Sequence, residues 1–534
     1  MTPAASAADR SPWAALGYPA YRRVFSGALS MSIGYTTIST LAAWLMASLT
    51  PSAMMVALVQ TATTLPALAF GLLAGAMADT LDRRGVLLAT QILLLLASIA
   101  VGSLTLLGTM SPALLLGSVF VLGSGFVVAL PALQAIVNDL VPHRQLPSAT
   151  ALTATAFSAS RIVGPALAAA AAAYLGSGWA LLGSAAFFLV MIAALHGWQS
   201  AAPGIPGLPE RLFASVRSGL RYTRHTPEIR TLLAHYSSFG FCAASLLALL
   251  PVLARDQFGF GAMGFGMLSA CFGAGAVGGA QTTPHLLRKG RIHAAIATGT
   301  IVSASGILIT AATAMTAGAI AGTVLAGFGW GCVFAALSAG IQNTAPAWVR
   351  ARAVSVGMVA SQAAMAAGSA VWGAIASLAE ARVALMASVL LTLALLALKR
   401  RGRLFLKDEA DVKAGVHLPE LSFDQEPGPE DGPVLIQIEY AIDAENEQEF
   451  LQLIRSMEPI RRRNGARDWH IFRDLEMAGR FIERFVVHSW AEYMRLRART
   501  TETERALGAG VARTQRAGVP VIISRLIAIA PDQT

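Results

Sequence analysis

The sequence predicts an all-α polytopic membrane protein, with twelve transmembrane helices in two six-helix repeats and a C-terminal α+β domain of ferredoxin-like type. Three observations carry that prediction. Of 534 residues, 55% are hydrophobic and only 13% are charged, about half the charged share of a soluble domain. Twelve apolar stretches fall six on each side of a polar gap, each long enough for a hydrocarbon core of roughly 30 Å. The charge also divides: 24 basic and 8 acidic residues up to Lys407 leave +16, and 16 basic and 22 acidic ones beyond leave −6, together the overall +10. A soluble enzyme, a disordered scaffold and a disulfide-stapled secreted domain are excluded as readings of the whole chain. The positive charge flanks apolar helices, so its expected partner is the lipid bilayer and not a nucleic acid.

Residues 1–23 are expected to form a cytoplasmic N-terminus without a cleaved signal, since Met1 to Ser11 lack an apolar core. The first bundle is expected over 24–198, with spans at 24–49, 53–78, 86–108, 113–138, 148–175 and 179–198. The second is expected over 229–399, with spans at 229–253, 262–285, 292–314, 318–342, 352–378 and 382–399. Between them, 199–228 opens on a Pro/Gly cluster and continues as a basic amphipathic stretch with Arg211, Arg217, Arg221 and Arg224, read as a cytoplasmic connector helix on the membrane surface. With the N-terminus inside, 21 of the 24 basic residues before 408 are cytoplasmic, leaving Arg255 and Arg382 outside and Arg161 within a span. Both termini are therefore expected in the cytoplasm, with the protein in the inner membrane.

The halves repeat at an offset of 204 residues: Gly71 and Gly75 align with Gly275 and Gly279, Gly123 and Phe126 with Gly327 and Trp330, Asn138 with Gln342, and Gly164 with Gly368. An ungapped register across three pairs of spans marks a duplication. Two parallel six-helix repeats around a midplane cavity suit an alternating-access transporter. Beyond the second bundle, 400–432 reads as a basic stop and an acidic linker, and 433–534 as a cytoplasmic α+β domain. Its expected elements are a strand over 434–440, a helix over 444–463, strands over 469–475 and 481–488, helical residues to 515 and a last strand over 521–529.

Three features carry candidate chemistry. In the loop after the second stretch, Gly71 and Gly75 allow close helix approach, Asp79 and Asp82 are anionic, and Arg83 and Arg84 can pair with acids or carbonyls across a cytoplasmic gate. Asp79 is expected to cap a neighbouring helix N-terminus. Arg161 is the one formal charge deep in a span; burial there is costly, so it is expected to face the cavity and anchor an anionic or catecholate-like group. Gly164 and Pro165, one turn on, would bend that helix for gating. No Asp or Glu lies at the centre of any span, which leaves Asp139 as the local candidate for coupling, with Gln134 and Asn138 as polar lining. In the tail, His470 and His488 show no metal spacing, and a regulatory or dimerising domain is preferred to a small monooxygenase or sensor.

The Gly75 to Arg84 loop, the twelve spans and the duplication resemble the major facilitator superfamily. The Asp82-Arg83-Arg84 form, Arg161-Ile162-Val163-Gly164-Pro165 and the tail stretch Arg461 to Ala466 are similar to its transmembrane secretion effector branch, which includes enterobactin exporter relatives. Gly164-Pro165 also resembles an antiporter signature, with Ala168 and Ala169 where that signature has glycines. The resemblance implies export of a small organic molecule, siderophore or drug-like, with proton antiport as the energy source, no cofactor and no catalysis. A lysophospholipid flippase, with Arg161 receiving a phosphate, is the alternative.

Overall fold

The computed structural model describes residues 13–196, 212–287, 292–399 and 427–528. The start of the predicted N-terminus, the Pro/Gly opening of the connector, the basic stop and most of the acidic linker lie outside the described residues. Five helices make up the first predicted spans: α1 (Pro19–Leu49), α2 (Ala53–Thr80), α3 (Arg83–Leu106), α4 (Pro112–Leu140) and α5 (Leu146–Leu175). The sixth is broken at Ser184 into α6 (Ser177–Gly183) and α7 (Ala185–Leu195), and the connector helix α8 covers Leu212–His225. The second series is α9 (Pro227–Val252), α10 (Ala262–Leu287), α11 (Ile292–Ala312), α12 (Thr316–Thr344), α13 (Ala347–Leu378) and α14 (Ala381–Lys399). Among the described residues, eleven helical segments are long and apolar enough to cross a membrane, α6 and α7 counting as one. Helix α1 fills the remaining predicted stretch but is more polar, carrying Arg22, Arg23 and a series of Ser and Thr.

The chain forms two compact units. One comprises Met1–Pro209, Leu233–Leu337 and Gly357–Arg403, and the other Glu210–Leu232, Ser338–Val356 and Leu404–Thr534. The division is not the one expected from sequence, because the connector and the turn between α12 and α13 belong with the tail. Within the first unit the duplication has a packing basis. Gly123 of α4 lies against Pro66 of α2, and its partner Gly327 of α12 lies against the Phe272 carbonyl of α10. Likewise Gly164 of α5 sits on Thr36 of α1, and Gly368 of α13 sits on the Phe241 carbonyl of α9. Without a hydrophobic drive between helices in lipid, missing side chains let backbones meet, so the repeated glycines record repeated crossings.

The halves of this unit meet along α5 with α10 and α2 with α13. The Met54 amide donates to Ser377 Oγ at 2.9 Å, Thr61 Oγ1 donates to the Ala366 carbonyl at 3.0 Å, and Arg255 Nη1 donates to the Thr50 carbonyl at 2.9 Å. These bonds lie on the face of the bundle that carries the 50–52 and 379–380 connections.

In the second unit, β1 (Val434–Ala441), α15 (Glu447–Asn464), β2 (Arg467–Arg473), β3 (Arg480–Val487), α16 (Trp490–Ala498), α17 (Glu502–Arg513) and β4 (Ile522–Ile527) build a small antiparallel sheet with helices. The strand order is β2-β3-β1-β4, with Ile436 opposite both Phe485 and Arg525. Alternate residues of β1 are buried, the period-two pattern of a sheet with one covered face, and they meet Phe450 and Ile454 of α15. Ser489 caps α16, and Thr501 with Glu504 forms a capping box on α17.

Candidate functional site

Arg161 stands in the middle of α5, and its side chain is solvent-accessible. Its guanidinium carbon lies 5.0 Å from the ring centroid of Trp330 on α12. A cation over an indole face is attracted by the ring quadrupole. Trp330 stacks on Phe334 at 4.1 Å, Phe334 meets Tyr236 of α9 at 4.9 Å, and Phe272 of α10 closes the group at 6.1 Å from Trp330. The buried Trp330 Nε1 has no hydrogen-bond acceptor. One turn before Arg161 on the same face, Phe157 packs edge-on to Phe126, which stacks on Tyr35 at 3.9 Å. The arrangement is a cation and an unused indole N–H between aromatic walls, with no carboxylate hydrogen-bonded or ion-paired to the guanidinium among the described residues.

The backbone beneath this site is specialised. Pro165 has no N–H to offer the Arg161 carbonyl, and Gly273 of α10 approaches that carbonyl so closely that a Cβ would collide with it. Thr36 Oγ1 donates to the Ser160 carbonyl at 2.9 Å and Thr37 Oγ1 donates to the Gly164 carbonyl at 3.2 Å, tying α5 to α1 on either side of Arg161.

The loop residues form a separate group. Asp82 is the N-cap of α3, accepting from the Gly85 amide at 2.8 Å and the Arg84 amide at 3.3 Å. Asp79, expected to cap a neighbouring helix, stands in the last turn of α2, which continues to Thr80. Arg83 pairs with Asp139 at 2.6 Å, and Arg84 Nε donates to the Leu195 carbonyl at 3.2 Å. Both bonds stay within the first half and do not cross to the second. Gln134, Asn138 and Asp139 are exposed along α4, Asp139 with Arg83 and not with Arg161. Gly71 faces Val359 of α13 across the halves, whereas Gly75 has open space beside it. Sequence reasoning noted Trp330 as evidence of duplication and missed it as the partner of Arg161; its alignment with Phe126 was the available signal.

In the tail, the buried carboxylate of Glu483 is satisfied. Glu483 accepts from Arg461 Nε and Trp469 Nε1, each at 2.9 Å, and from the Tyr440 hydroxyl at 3.0 Å. Burial alone would raise its carboxyl, but Arg461 beside it, with these bonds, holds it below the usual range. His470 and His488 are exposed.

A family model described as transmembrane secretion effector matches residues 10–533. The multidrug efflux pump Tap of Mycolicibacterium fortuitum is 26% identical over 326 residues, covering 59% of this chain and 78% of that protein. Among solved structures, a bacterial homolog of the human lysosomal transporter Spinster, in an inward-facing and unoccupied conformation, superposes with a TM-score of 0.57 at 14% identity, covering 74% of this chain and 97% of that one. The nucleoside transporter NupG gives 0.58 at 13% identity, covering 72% and 100%. The helical architecture is that of a membrane transporter, not an enzyme, and the chain belongs to the transmembrane secretion effector family of the major facilitator superfamily.

Proposed function

We propose that this chain exports small organic anions, siderophore-like or drug-like, across the inner membrane by alternating access of two six-helix halves. The reading counts α1 as the twelfth span, places both termini in the cytoplasm and moves a proton in the opposite direction. In that orientation the bonded face of the bundle is the outer one, and the conformation is inward-facing. The observation that carries the proposal is the accessible Arg161 guanidinium over Trp330 in mid-span. Such a cation without a carboxylate partner is an anion receptor, and the neighbouring rings give an organic substrate its apolar contact.

Asp139, exposed and paired with Arg83, is assigned to proton coupling. Gln134 and Asn138 line the approach, while Gly164 and Pro165 let α5 bend. The succession β-α-β-β-α-β with order β2-β3-β1-β4 supports a ferredoxin-like tail, whose exposed sheet residues Leu526 and Phe472 suit dimerisation.

Proteoliposomes with an imposed pH gradient test the proposal. Arg161→Ala is expected to slow export of an anionic aromatic dye about 100-fold, roughly 3 kcal/mol of lost charged contact, with Arg161→Lys in between. Anion export unaffected by Arg161→Ala would sink the anion reading. Loss confined to a lysophospholipid in the same panel would move the assignment to a flippase.

A further inference from the structure

The second unit contains a contact that transport by itself does not require. It joins the tail to the connector α8 and to the first turns of α13. Arg221 of α8 donates to Glu492 of α16 at 2.6 Å. The Arg499 guanidinium, just after α16, sits 4.0 Å from the ring centroid of Trp348 on α13. Trp348 meets Tyr222 of α8 edge-on at 5.6 Å, and Arg463 at the end of α15 lies over the Tyr222 ring at 5.8 Å. These are not loose surface pairs: Tyr222 is 1% exposed and Arg499 8%. Gly219 of α8 lies so close to Arg352 of α13 that an added Cβ would press on that side chain. Two arginines of the tail thus hold two rings that belong to the connector and to a membrane-spanning helix.

Alternating access moves the two halves against each other, and α8 is the chain segment that joins them. Because α8 precedes α9 by the single residue Thr226, a tail that fixes α8 to the head of α13 commits the connector to the second half and stiffens the joint across which the halves would move. We propose that the tail restrains the transport cycle through this clasp, and that loosening it speeds export. Burial raises the stake of each contact, since a desolvated guanidinium over a ring is held more firmly than an exposed one. Glu492 shows the same environment: burial would raise its carboxyl, but Arg221 and then Arg499 keep it below the usual carboxylate range.

The inference rests on the alternating-access reading, and its test separates the two. Full-length chains in proteoliposomes are compared for export of the anionic dye under a pH gradient, and for amide exchange along α8. Arg221→Glu, which repels Glu492, and Trp348→Ala are each expected to raise the export rate roughly three- to tenfold and to quicken α8 exchange. The Trp348→Ala, Arg499→Ala double variant is expected to gain no more than the larger single one, because both remove one contact. Trp348→Ala lies outside the tail, so its effect does not depend on the tail's folding. Wild-type chains that move no dye refute the transport reading. Wild-type chains that do move dye, with variants no faster or slower than wild type, refute the clasp as a restraint; unchanged α8 exchange refutes it as a holding contact.

Discussion

The two halves of the membrane unit share a skeleton and differ in their chemistry. The crossings are repeated glycine for glycine, Gly123 with Gly327 and Gly164 with Gly368, each pressed on the matching helix of its own half. At the same offset, Arg161 stands opposite Met365 and Phe126 opposite Trp330. Met365 is buried, while Arg161 is accessible. Asp79 stands opposite Thr283, which turns inward and donates to the Gly279 carbonyl at 2.8 Å. At these two pairs an added Cβ would meet a neighbouring helix at 3.0 Å or less, whereas Gly71 and Gly75 repeat as glycine without that pressure. Elsewhere the halves diverged, and the charge collected in one half while the larger ring collected in the other. A symmetrical scaffold thereby carries an asymmetrical set of side chains.

That comparison can be broken in three ways, beginning with the largest effect. Gly164→Val and Gly368→Val are both expected to abolish recovery of monodisperse protein, since each forces a branched side chain into a neighbouring helix. Tolerance of one and not the other, measured by size-exclusion yield, would show that the repeated crossings are not equivalent. Trp330→Leu is expected to weaken dye affinity about tenfold through loss of the cation–π surface and the indole donor, and Phe126→Leu about twofold. Equal losses in transport KM would mean that the receptor is symmetrical after all. The smallest effect is Asp82→Ala, which removes the α3 cap and is expected to cost about 1 kcal/mol, read as a lower melting temperature with transport retained.

The length and apolarity of eleven spans and the repeated glycine crossings were legible because a bilayer fixes helix length and lipid packing fixes where glycine must stand. Arg161 was legible for a related reason: one charge in an apolar span has few places to go. Its pairing with Trp330 was not, because it depends on how α12 is rotated against α5, a long-range outcome that no local pattern encodes. Asp82 as the cap of α3 was not legible, because it depends on where α2 ends, and helix ends are the least determined feature of a sequence. In the tail, alternation placed all four strands to within two residues at their ends, whereas the sheet order came from pairings between distant segments. The grouping of α8 and the start of α13 with the tail was equally out of reach, since it rests on Arg221, Arg463 and Arg499 finding partners more than a hundred residues away.

The proline one turn beyond Arg161 gives the proposed receptor a mechanical property. A ligand drawn onto that guanidinium, as proposed, would pull on the residue whose carbonyl has lost its helical donor and on which Gly273 of α10 rests. On the proposed reading, occupancy would be converted into curvature at a single residue, with no relay between the place that senses the ligand and the place that yields.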